Sequence, residues 1–84
     1  MTEEVLKQGR ELKERIDNIN YKIKSIDGYL SSNNTQLLIG NANYHGITVY
    51  AEDVPVGTYS AVLALVRSQL IFKRDELQKQ LEAL

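Results

Sequence analysis

Eighty-four residues and 9.5 kDa hold one small domain, with a poor ratio of core to surface that staples or oligomerisation often relieve. There is no cysteine, and ten Lys and Arg against eleven Asp and Glu leave a formal charge of −1. Disulfides and thiolate metal sites are therefore excluded, and binding to duplex nucleic acid or anionic lipid is disfavoured.

From Thr2 to about residue 31 the chain is polar and strongly periodic. Leu12, Ile16, Ile19, Ile23, Ile26 and Leu30 follow spacings of 4, 3, 4, 3 and 4, which predicts a long helix with a heptad stripe. Carried backward, the rhythm lands on Gly9 and then Val5. Glycine in a helix interior costs about 1 kcal/mol against alanine, so its place in the seam predicts close approach by a partner backbone or a bulky side chain. Thr2 before Glu3 and Glu4 reads as an N-cap with an acidic first turn. The cluster Ser31-Ser32-Asn33-Asn34 ends the helix.

Residues 36–51 read as a β-hairpin. Leu37-Leu38-Ile39 and Ile47-Thr48-Val49-Tyr50 are short apolar or β-branched runs, joined by the Asn- and Gly-rich loop Gly40 to Gly46. Alternation puts Leu37, Ile39, Ile47 and Val49 on one face. A two-stranded ribbon alone is marginal in water, so it is expected to lie on the helices or pair with another chain.

A second helix is predicted over residues 55–84, with Pro55 in its first turn and Asp53 or Thr58 as cap. Leu77, Leu81 and Leu84 form a one-sided stripe. Ala61 to Phe72 is apolar around most of its circumference, the composition of a helix buried on all sides. One helix and one thin hairpin cannot surround it. The expected fold is thus α+β: two long antiparallel helices joined by a short β-hairpin, assembled as a homo-oligomer through the second helix. The expected interface residues are Leu63, Val66, Leu70, Ile71 and Phe72.

Catalytic patterns are missing. His45 is the one histidine, so a zinc set would need carboxylates from other chains, and no metal or cofactor is expected. No G-x-S-x-G elbow occurs, and the five glycines match no phosphate loop. The longest apolar run, Ala61 to Val66, falls far short of the roughly 20 residues of a spanning helix. With no basic-then-apolar leader after Met1, cytoplasmic residence is the expectation.

Binding has more to draw on. Asn43, Tyr44 and His45, in the Asn41 to Gly46 loop, offer donors, acceptors and rings, although turn chemistry alone also selects such residues. Arg67 is the lone charge in the apolar half of the second helix. If buried it needs a counter-charge: Glu52, Asp53, or an anion such as a small nucleotide with Tyr44 or Tyr50 stacked on it; otherwise it reaches to water. Tyr21 and Tyr29 lie off the heptad stripe, two turns apart.

Gly46-Ile47-Thr48-Val49-Tyr50 resembles a "G-x-x-V-x-V"-like strand, followed by the Val54-Pro55 junction and a Leu-repeat helix from Leu65 to Leu84. With the charged N-terminal helix, this order is similar to short phage and prophage accessory proteins. The architecture also resembles a miniature β-type prefoldin subunit. The first resemblance implies a non-enzymatic counter-defence protein in the host cytoplasm, sequestering a small cyclic nucleotide or occluding a host defence protein. The second implies a coiled-coil assembly adaptor. Neither carries over a binding residue.

Overall fold

A computed structural model describes residues 2–31, 36–41 and 43–84. The order is α1 (Glu3–Leu30), β1 (Leu37–Asn41), β2 (Tyr44–Val49), a 3-10 turn (Ala51–Asp53) and α2 (Thr58–Glu82). The architecture is the expected one, two long antiparallel helices joined by a two-stranded antiparallel hairpin.

The start of α1 follows from side-chain chemistry. Thr2, in extended conformation, accepts a hydrogen bond from Val5 N–H on its Oγ1 at 3.2 Å, with Glu3 and Glu4 beside the positive helix end. The helix stops at Leu30, where the Ser31 hydroxyl turns back to donate to Gly28 O at 2.9 Å. Ser32, Asn33 and Asn34, the rest of the expected breaker, lie outside the described residues.

The heptad stripe of α1 is the core. Ile16, Ile23 and Ile26 are buried, and Val5, Leu12 and Ile19 are half-buried on the same row. From α2, Leu77 is fully buried, and Leu63, Leu70 and Leu81 are half-buried along its row. Two polar contacts fix the register. Arg67 Nε donates to Asp27 Oδ1 at 2.6 Å, and Arg74 Nη1 to Asn20 Oδ1 at 3.2 Å. Both partners step by seven residues in opposite directions, so the helices run antiparallel with one phase.

Gly9 faces the far end of α2. A Cβ there would meet Leu84 Cδ1 at 3.7 Å and Leu81 Cδ1 at 3.8 Å. Side chains, not a backbone, thus approach the glycine, and they leave room for a methyl.

The hairpin register pairs Leu37 with Val49, Leu38 with Thr48, Ile39 with Ile47 and Asn41 with Tyr44. Leu37, Ile39, Ile47 and Val49 do share a face. The expected seven-residue loop does not exist, because both strands run further. Between the last two pairs β2 has one residue more than β1, and Gly46 takes φ +75°, a bulge that only glycine fills without strain. Asn41 Oδ1 accepts Asn43 N–H at 2.9 Å and tightens the connection.

The junction also differs from expectation. Asp53 does not cap α2; its Oδ2 accepts Tyr50 N–H at 2.9 Å and closes the 3-10 turn. Pro55 precedes the helix, its carbonyl accepting the Thr58 N–H at 3.1 Å and the Thr58 hydroxyl at 2.7 Å. Gly57, at φ +90°, is the N-cap of α2 and has no side chain to cap with. The molecule measures 55 × 28 × 15 Å, a single layer of secondary structure.

Candidate binding surface

A layer 15 Å thick covers few side chains on both sides, and its apolar residues fall on two surfaces. On the hairpin, Leu38 is 68% exposed on one face, and Ile47 is 62% exposed on the other beside the exposed Ile39. The hairpin is tied to α2 through its base, where the Tyr59 hydroxyl donates to Val49 O. Leu38, Ile39 and Ile47 are thus left uncovered within the chain, and of the two expectations for the ribbon, packing on the helices or pairing with another chain, the first does not hold for these side chains. Among the described residues, neither strand has a third strand on its outer edge.

The second surface is on α2, opposite the row that packs on α1. Leu65 is 61% and Phe72 69% exposed, with Ala61 and Ser68 exposed between and before them. Apolar composition on all sides of this helix therefore does not mean burial on all sides within one chain. Of the five residues expected at an interface, Leu63 and Leu70 lie on the row facing α1, and Ile71 is half-buried. Val66 and Phe72 are exposed.

Arg67 is half-buried and already has its counter-charge. The partner is Asp27 of α1, at 2.6 Å, not Glu52 or Asp53. With both side chains more than a third exposed, solvent screens the pair, and its worth is about 0–1 kcal/mol. Tyr50 is exposed at the end of the hairpin, with its N–H held by Asp53. Asn43 sits in the tight turn. Tyr44 and His45 belong to β2 by their backbone; their side chains lie outside the described residues. Arg67 is bonded to Asp27 of α1, Asn43, Tyr44 and His45 belong to the hairpin, and Tyr50 stands at its end.

Two concave places among the described residues are open to solvent. One of about 650 Å3 is lined by Glu3, Leu6, Lys7, Arg10, Glu11 and Glu14, a single flank of α1. Another, about 300 Å3, lies at the junction against Val54, Pro55, Val56 and Tyr59. Among the described residues, no group of three or more His, Cys, Asp or Glu is placed to hold a metal ion, and no helix is long and apolar enough to cross a membrane. Comparisons with protein-family models, with curated proteins and with solved structures find no match.

Proposed function

We propose that this chain is a non-enzymatic, stoichiometric binding protein that occludes another protein, as its resemblance to short phage and prophage accessory proteins suggests. It would act in the host cytoplasm. The observation that carries this reading is the hairpin, with Leu38, Ile39 and Ile47 exposed on two faces between two open edges. An open edge with apolar side chains fits strand addition, in which main-chain hydrogen bonds supply affinity and side-chain pockets supply specificity. Sequestration of a nucleotide has less support, because the Arg67 charge is met within the chain.

Native mass spectrometry of the protein isolated from producing cells tests this. A stoichiometric protein partner, lost in Ile47→Asp with helical circular dichroism retained, supports occlusion. A small nucleotide that Ile47→Asp retains and Arg67→Ala releases overturns it in favour of sequestration.

A second reading, a prefoldin-like adaptor, draws on Leu6 and Leu84, both half exposed at the helix ends away from the hairpin. Suppression of client aggregation that Leu6→Asp abolishes would favour it.

A further inference from the structure

The exposed face of α2 carries a pattern independent of the hairpin. Ala61, Leu65, Ser68 and Phe72 follow spacings of 4, 3 and 4, a short heptad seam on the side away from α1. Its residue sizes run small, large, small, large. Reversed end to end, the order becomes large, small, large, small, the complement of itself.

We propose that this seam is the interface of a two-fold homodimer, with α2 of each copy antiparallel to the other. Phe72 of one copy then covers Ala61 of the second, and Leu65 covers Ser68. Each layer pairs a wide side chain with a narrow one, and a two-fold axis makes both halves identical. On the flank, Ala64 comes opposite Ile71 in the same sense. In a parallel dimer the layers would instead stack Phe72 on Phe72 and Ala61 on Ala61, uneven in width, with Asp75 against Asp75.

Charge agrees with the antiparallel arrangement. Arg67 is the lone charge between Thr58 and Phe72, and it points to α1, so the overlapping halves bring no like charges together. The next seam position, Asp75, reaches Thr58 of the second copy at the first turn of α2. That turn holds no acidic residue, and its N-cap is Gly57, without a capping side chain. A carboxylate from the second copy completes it electrostatically.

From Thr58 to Asp75 the seam is about 26 Å long at 1.5 Å per residue. A single helix pair of this length belongs to the smaller specific interfaces, so dissociation in the micromolar range is expected.

Analytical ultracentrifugation of the whole protein at about 100 µM, well above such a dissociation constant, is expected to give twice the 9.5 kDa chain mass. Phe72→Asp is expected to raise the dissociation constant at least thirtyfold, roughly the effect of losing one interface anchor, with helicity unchanged because Phe72 is exposed in the single chain. Orientation is read from disulfides, in a chain with no native cysteine. Leu65→Cys mixed with Ser68→Cys should oxidise mainly to the mixed dimer. A monomer at that concentration, a dimer indifferent to Phe72→Asp, or preferential Leu65→Cys self-crosslinking overturns the proposal. None of these outcomes depends on the hairpin's partner, which Ile47→Asp tests separately.

Discussion

Gly9→Ala separates two uses of a glycine in a helical seam. Where a backbone lies against the glycine, a methyl has no place, and stability falls. Here the nearest atoms to an added Cβ are Leu84 Cδ1 at 3.7 Å and Leu81 Cδ1 at 3.8 Å, ordinary van der Waals distances to the ends of flexible side chains. No contact is strained, and the helical backbone at Gly9 suits alanine. The gain is therefore the propensity difference, about 0.8–1.0 kcal/mol, with a small addition from the half-buried methyl. For a chain of this size that corresponds to a rise of about 4–8 °C in Tm. Thermal and urea unfolding followed by circular dichroism measure it, at fixed protein concentration because association shifts apparent stability. A lower Tm, or a changed subunit mass, would refute the reasoning and show that something other than Leu81 and Leu84 approaches this position.

Leu77, the fully buried side chain among the described residues, should cost about 2–5 kcal/mol on truncation to alanine, by far the largest single loss in urea unfolding. Gly46→Ala drives a Cβ into Ile39 O at a positive φ, so amide exchange across residues 37–49 should rise sharply while α1 and α2 keep their protection. Arg67→Ala should lower stability by no more than about 1 kcal/mol, an effect that shrinks in high salt; a loss several times larger would mean that Arg67 is not a screened surface pair.

The helices and their antiparallel pairing were legible because a heptad stripe states period and face together. Ile16, Ile23 and Ile26, the buried residues of α1, all belong to the stripe; Leu12 and Ile19 are half-buried on it, and Leu30, at the end of the helix, is exposed. The partner of Arg67 was not legible from its neighbourhood, since Asp27 is forty residues away. It follows only from the register between helices. Setting Ile16 against Leu77 and Ile23 against Leu70 would have brought Asp27 to Arg67 and Asn20 to Arg74. The hairpin connection is shorter than the apolar runs suggest, because such runs mark where strands are hydrophobic, not where they are paired. Asn41 and Tyr44 lie within the expected loop yet pair with each other, and the local sign is Gly46, a glycine suited to a bulge. The exposed face of α2 follows from its composition: a helix apolar on most sides has more water-avoiding surface than one helix and one thin hairpin can cover, and Leu65 and Phe72 are exposed in the single chain.

The bulged hairpin also sets the order in which the molecule can assemble. Without it, bringing α1 to α2 means closing a flexible loop from Ser31 to Gly57, and that entropy grows with loop length. Strand pairing across a tight turn is local and rapid, and once made it leaves only short tethers on either side. With those short tethers, helix pairing is expected to begin at the near end, where Asp27 meets Arg67, and to travel outward toward Gly9 and Leu84. Truncations such as Ile26→Val should accordingly slow folding, and Leu81→Ala should chiefly hasten unfolding. On that order the far ends of the two helices would be the last to close and the first to part.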